Sequence, residues 1–343
     1  MKPLVSILIP AYNAERWVSE SIESAIGQTW DRKEIIVVDD GSKDQTMAVA
    51  RRFESDGVKV YAQANQGAAA ARNKAFSLCS GDYIQWLDAD DLIAPDKIAR
   101  QMHALGDSPN RRVLVSGEWG KFIYRSARAK FVPTVLWTDL PKVEWLIRKM
   151  GQNLYMQTAT WLVSRELTEA AGQWNTRILG DDDGEYFCRV LLASEGVRFV
   201  PGARVYYRDA GASSLSYIGA SDKKRDAQWL SMKLHIGYLR SLEDSERTRG
   251  ACVTFLQNWM GSFYPERLDL FGQAEEMARS MGGRLERPRF SWKYSWIEAL
   301  FGWRLARRAQ VSLPNLKWSL VRRWDKTLFR VGRRKHADPS GMG

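Results

Sequence analysis

One stretch limits the possible folds of this chain more than any other. Tyr83, Ile84, Gln85, Trp86 and Leu87 run straight into Asp88, Ala89, Asp90 and Asp91. The mostly apolar half reads as a buried strand. The three carboxylates cannot follow it inward, because an isolated buried charge is very costly to desolvate. They belong at the open C-terminal edge of a sheet, where α/β folds keep their ligands. Asp88 and Asp90 are two residues apart, so both point to one side if strand geometry persists. Two carboxylates on one side suit Mg²⁺ or Mn²⁺, with phosphate oxygens completing the shell. The plainer reading is a solvated acidic turn.

The residues before this stretch favour the sheet edge. Val5–Pro10 is a β-rich run stopped by proline, and Asn13 is a good N-cap for the helical pattern that follows, ended by Gly27. Glu34–Val38 is a second strand running into Asp39, Asp40, Gly41 and Ser42. Asp44 can cap a helix reaching Gly57, Val58–Tyr61 is a third strand, and Asn65-Gln66-Gly67 opens an alanine-rich helix from Ala68 to Leu78. This alternation implies parallel strands with helices on both faces. Parallel strands share one C-terminal edge, so the two acid clusters meet there. No G-x-G-x-x-G follows the first strand and no G-x-x-x-x-G-K-[ST] occurs, which disfavours a dinucleotide fold and excludes a P-loop NTPase.

Four ordered motifs carry a resemblance: Val5–Asn13; Ile35–Val38 with Asp39, Asp40, Gly41, Ser42, Lys43, Asp44, Gln45 and Thr46; Asn65-Gln66-Gly67 with Arg72-Asn73; and Asp88-Ala89-Asp90-Asp91. Together they closely resemble family 2 glycosyltransferases of the GT-A fold, over about residues 3 to 210. The resemblance implies an α/β fold with a mostly parallel central sheet. It implies a nucleotide-sugar donor, a saccharide or lipid-linked acceptor and a divalent metal, Mg²⁺ or Mn²⁺. It places Pro10, Ala11, Tyr12 and Asn13 at the donor nucleotide, with Gly67 nearby, and either Asp39 or Asp40 on the base or ribose. Asp88 falls on the ribose or metal and Asp90 on the metal. Arg72 is either a phosphate ligand or an ordinary surface arginine. The physical requirement is that a leaving diphosphate has its growing charge neutralised.

Downstream, Pro95 starts a helix to about Leu105. Arg112–Gly117 and Lys121–Tyr124 read as two strands, and Thr158–Val163 as another, with Ser164 capping a short helix. Trp119, Tyr124, Trp137 and Trp145 either stack on sugar rings or pack in the core. Asp181, Asp182 and Asp183 enter a helix carrying Glu185, Tyr186, Phe187 and Val190. Acids at a helix N-terminus are favoured by its dipole, but the family resemblance puts its catalytic base here. Counting back from Arg189 selects Asp183, with Asp182 second and the register open by one. An inverting transfer needs a carboxylate to take the acceptor hydroxyl's proton. Val197–Val200 and Val205–Arg208 close the α/β part, and the segment from Gly211 to Ser216 is either a flap or a surface loop.

The expected organisation is a catalytic unit over 1–215, a helical unit over 216–283 packed on it, and a basic tail over 284–343. The net charge of +11 lies wholly in that tail, where 15 Lys and Arg face 4 Asp and Glu. Trp292, Trp296, Leu300 and Trp303 recur at helical spacing, as do Leu316, Leu320, Trp324 and Leu328. Basic amphipathic helices rich in Trp suit an anionic membrane surface; the alternative packs their apolar stripes on the body. Basic charge is the sole argument for nucleic acid, so no nucleic-acid partner is expected. Three scattered cysteines form no disulfide framework or metal spacing, and three distant histidines make no zinc site. With no signal core after Met1 and no apolar run long enough to span a bilayer, a cytoplasmic enzyme is expected, peripheral on the cytosolic face if the tail binds lipid. The rival to an enzyme is a non-catalytic scaffold of the same fold that binds saccharide or membrane.

Overall fold

The computed structural model describes residues 2–106, 110–209, 221–288, 292–303, 305–306, 309–310, 318–319 and 321–329. The 211–216 segment, Leu316 and Leu320 lie outside the described residues.

The first half alternates as read: β1 (Val5–Ala11), α1 (Val18–Ile26), β2 (Lys33–Asp39), α2 (Thr46–Arg51), β3 (Val58–Ala62), α3 (Ala68–Leu78) and β4 (Tyr83–Trp86). After β4 come β5 (Leu92–Ile93), α4 (Lys97–Leu105), β6 (Val113–Phe122), β7 (Lys130–Phe131), α5 (Lys142–Gly151), β8 (Val163–Ser164), α6 (Arg165–Ala171), α7 (Asp182–Ala193) and β9 (Gly196–Arg208). Helices α8 (Asp222–Leu242), α9 (Glu246–Phe263), α10 (Leu268–Ser280) and α11 (Trp292–Phe301) follow.

Strands β3, β2, β1 and β4 are parallel neighbours in that order, with β8 antiparallel on the outer side of β4. All seven residues of β1 and all four of β4 are buried, as a sheet covered on both faces requires. The register sets Ala11 beside Asp39 and Leu8 beside Trp86, so the acids that follow β2 and β4 emerge on either side of the end of β1. At about 4.8 Å per strand, these two clusters stand about 10 Å apart. A second sheet, ordered β5-β9-β6-β7, closes the other side of this rim.

Several local expectations change. Asn13 does not cap α1: it adopts a left-handed backbone with φ 48°, and the helix begins at Val18 after Trp17. Its side-chain oxygen accepts from Lys43 N at 2.9 Å, which ties the end of β1 to the turn after β2. The helix after Asp44 stops at Arg51, well short of Gly57. Residues Val113–Phe122 form one strand, not two, and so do Gly196–Arg208. The irregularity that suggested breaks is a register shift between Gly117 and Glu118. Ala203 O approaches so closely there that a Cβ on Gly117 would collide with it. Thr158–Thr160 is a 3-10 turn, not a strand, because the Gln157 side chain accepts from Ala159 N at 2.6 Å and caps it. Ser164 caps α6 through Leu167 N, as read.

Trp229, Met232, Phe255 and Phe263 of the C-terminal helices belong to the same contiguous core as Ile7, Ile36 and Trp86. Trp145 is buried against Trp161 at 5.6 Å and offers no face to a sugar, whereas Trp137 is half-buried and stacks one face on Phe199.

Candidate active site

At the end of β2 the two neighbouring acids have different surroundings. The Asp40 carboxylate accepts from Gln63 Nε2 at 2.7 Å, Gln66 N at 2.9 Å and Gly67 N at 2.8 Å. It is consumed in holding the loop that leads into α3. Asp39 is also buried, and its Oδ2 accepts from Ser42 N at 3.1 Å, but its Oδ1 has no partner. A buried oxygen left open at the sheet edge is available to a donor such as a base or ribose hydroxyl. Beside it Pro10 and Ala11 are buried while Tyr12 is 46 % exposed.

Arg72 is not the surface arginine that was one of the two expectations. It is buried in α3 and bridges two acid clusters, donating to Asp88 Oδ1 at 2.8 Å and to Asp182 Oδ2 at 2.6 Å. Its guanidinium lies 4.4 Å from the Trp174 ring centroid. Burial works against its charge, yet the two carboxylates outweigh that and hold it more firmly protonated than a free arginine. This one side chain ties the end of β4 to the start of α7, so acids about a hundred residues apart share one rim.

Each bridged acid has a neighbour that forms no ion pair among the described residues, although the Arg208 charge acts on Asp90 and the Arg72 charge on Asp183. The Asp90 carbonyl accepts from Arg208 Nε at 2.7 Å, but its carboxylate accepts no hydrogen bond from the side chain of another described residue, and burial, with Asp88 beside it, pushes that carboxyl up to about 6. A hard divalent cation would relieve that cost, so Asp90 with Asp88 fits such an ion. Among the described residues no group of three or more His, Cys, Asp or Glu side chains is placed to hold a metal. A cation there would therefore need substrate oxygens, as a site that carries diphosphate does. Asp91 is fixed differently: Arg208 N donates to its Oδ1 at 2.7 Å and Gln157 Nε2 to its Oδ2 at 2.5 Å. Burial and the adjacent acids raise its carboxyl as well.

At α7, Asp182 is occupied by Arg72, whereas Asp183 accepts from Thr158 Oγ1 at 3.1 Å and Gly184 N at 2.8 Å. Burial, Asp182 and Asp181 push Asp183 up to about 7. Asp181 and Glu185 point away into α8, where Ser231 Oγ donates to Asp181 Oδ2 at 2.5 Å and Tyr238 OH to Glu185 Oε1 at 2.7 Å. Asp181 crosses so close to Gly184 that no Cβ fits there. Behind Ser231, His235 receives Lys149 Nζ at 3.2 Å on Nε2, so its Nδ1 carries the proton and donates to Ser231 O at 2.8 Å. Burial and the Lys149 charge hold His235 down to about 4, in the neutral form this requires.

The C-terminal helices thus clamp the acid-bearing turn of α7, a role that neither Ser231 nor Tyr238 betrays in the sequence. Gln157 and Thr158 carry no such signal either, since they border a strand-like run. Trp119 is almost fully covered, with Tyr155 at 4.9 Å above it. Tyr124 packs between Trp17 and Phe329.

Residues 6–170 match the model of Glycosyl transferase family 2. Over this segment, a little under half of its length, the chain is similar to that family. An uncharacterized glycosyltransferase of Haemophilus influenzae is 33 % identical over 167 residues, 48 % of this chain and 63 % of that protein. Among the first curated relatives the matched segment spans 19 % to 63 % of their own length. Among solved structures, S. aureus TarS 1–349 superposes with a TM-score of 0.62 at 16 % identity, covering 81 % of this chain and 80 % of that one. TarS has also been crystallised with UDP and with UDP-GlcNAc. The mannosyltransferase PcManGT from Pyrobaculum calidifontis, in complex with GDP-Man and Mn²⁺, gives a TM-score of 0.50 at 18 % identity over 94 % of this chain and 85 % of its own. The α/β part of the chain accordingly has the GT-A fold, with a helical C-terminal region beside it.

Proposed function

We propose that the protein transfers a glycosyl group from a nucleotide-diphosphate donor, UDP-linked by preference, to a saccharide or lipid-linked acceptor with inversion. The observation that carries this reading is the arrangement about Arg72. It pairs with Asp88 and Asp182 and leaves Asp90 and Asp183, one beside each, with no ion pair among the described residues.

Asp39 Oδ1 offers the buried acceptor for the nucleotide, next to Tyr12 and the end of β1. Asp90, with Asp88, would hold Mg²⁺ or Mn²⁺. When bound, such an ion neutralises charge on the departing diphosphate. Asp183 takes the acceptor's proton. A carboxyl near pH 7 is matched to that task, because it is partly ionised at neutral pH yet still basic enough to draw a proton from an alcohol. Asp182 is a poorer base, since its charge is spent on Arg72. This favours Asp183 for the register left open in the sequence.

The chain is further proposed to work as a peripheral protein at the cytosolic face of a membrane. Among the described residues no helix is long and apolar enough to cross one. In the basic tail Trp292 is 80 %, Leu300 70 % and Trp324 67 % exposed, which suits insertion at headgroup level.

The test is a screen of UDP-, GDP- and dTDP-sugars with Mn²⁺. Asp90→Ala is expected to lose metal-dependent nucleotide binding, and Asp183→Asn to keep donor binding and lose turnover. If no donor is turned over and no nucleotide binds, the scaffold reading replaces this one; if Asp183→Asn runs at full rate, the base lies elsewhere.

A further inference from the structure

Opposite the acids, the second sheet turns one face toward the cleft. Trp119 and Lys121 alternate onto that face, and the register sets Lys121 across from Tyr207 of β9 and across from Lys130 of β7. The Lys121 ammonium stands 5.7 Å from the Trp119 ring centroid, 5.6 Å from Tyr155 and 5.9 Å from Tyr207. Tyr155 is the exposed member of this aromatic group, at 43 %. Besides burial, Asp183 and Asp209 act on its hydroxyl, while Asp91, Asp90 and Asp88 act on that of Tyr207. The rings therefore lie within electrostatic reach of the proposed base and metal acids as well as of the lysine.

Lys121 and Lys130 are directly paired across an antiparallel ladder, and both are exposed. Like charges in that position destabilise a sheet. Among the described residues neither forms an ion pair, although carboxylates elsewhere on these strands do: Glu118 takes Arg204 at 3.0 Å, and Asp209 takes Arg322 at 2.7 Å. Lys121 is turned toward the rings and the Tyr155 hydroxyl, but a lysine pair with no carboxylate partner among the described residues, beside an exposed ring, still makes a place for a negatively charged ligand. Ammonium groups serve as point charges for phosphate and carboxylate alike.

We infer that Lys121 and Lys130 hold an anionic group of the acceptor, a phosphate or a carboxylate, while the face of Tyr155 carries its sugar or polyol. This rests on the glycosyl-transfer reading for the acceptor's role, and it narrows the acceptor to a charged one. Neutral glycosides would be poor ligands. The two sources of charge are a phosphate-bearing glycosyl or lipid carrier and a uronate-bearing saccharide.

The experiment titrates glucose 1-phosphate, glucuronate and methyl glucoside into the full chain with Mn²⁺, with and without saturating UDP, followed by saturation-transfer NMR. The two anions are expected to bind at least tenfold tighter than methyl glucoside. The double variant Lys121→Ala/Lys130→Ala should bring all three to the methyl glucoside level, and Lys121→Arg/Lys130→Arg should keep the preference. Tighter binding of glucose 1-phosphate than of glucuronate assigns a phosphate, and the reverse a carboxylate. Equal or absent binding of all three to the unmodified protein, or a preference that survives in the alanine pair, overturns the inference. A thermal shift with UDP in the same samples reads the donor proposal separately, so the failure of one is not mistaken for that of the other.

Discussion

Replacing Arg72 by methionine removes the one cation between two carboxylates while roughly keeping the volume of the side chain. Arg72 is 6 % exposed, Asp182 15 % and Asp88 30 %. Taking one partner from a buried ion group costs about 3–5 kcal/mol, because the charge left behind is uncompensated. Asp88 can recover some hydration, so the low end, about 3 kcal/mol, is expected at pH 8. The loss must depend on pH. Burial already raises the Asp182 carboxyl, with Arg72 acting against that rise; without Arg72 it rises further. A carboxyl raised in the folded state binds a proton that the unfolded chain releases, so stability falls as pH climbs above the unfolded value of about 3.9. The deficit should be largest at pH 8 and should shrink by about 1 kcal/mol or more at pH 5, since a tenfold change in a group's proton affinity is worth about 1.4 kcal/mol. Urea unfolding of the two proteins at both pH values measures it. Adding Asp182→Asn to the variant should recover part of the deficit at pH 8. A loss below about 1 kcal/mol, or one identical at pH 5 and pH 8, would refute the claim that Arg72 balances the charge of this rim.

Turnover should rise with pH through about 7, the region to which burial and neighbouring acids move Asp183, because a base must be deprotonated to act; a rate flat across that region with chemistry limiting would contradict this. Ser231→Ala combined with Tyr238→Phe releases both hydrogen bonds from α8 to the first turn of α7. It should lower kcat about tenfold or more with KM for the donor nearly unchanged, as expected if these side chains orient the base; an unchanged kcat would make them purely structural. Gly184→Ala should lose about 1–3 kcal/mol in urea unfolding, because the new methyl must displace the Asp181 carboxylate that Ser231 holds. Deleting residues 284–343 should abolish co-sedimentation with anionic liposomes; unchanged sedimentation would reject the membrane proposal.

The sequence alone was enough for the alternation of β1 to β4 and for the gathering of their acids, since burial on both faces leaves charged residues only the strand ends. Period and composition also revealed the helical C-terminal region and its basic, aromatic tail. Tertiary structure decided which carboxylates are free. Asp39 and Asp40 are neighbours of one residue type, yet donors from Gln63, Gln66 and Gly67 consume one and leave an oxygen of the other open. Asp182 and Asp183 likewise differ in that Arg72, about a hundred residues earlier, reaches one of them and Thr158 the other. Nothing local encodes such differences, because a carboxylate's chemistry is set by the donors and charges that folding brings within about 3–6 Å of it. For the same reason Arg72 reads in the sequence as a phosphate ligand or a surface residue, and only its ion pairs to the end of β4 and the start of α7 make it a buried bridge.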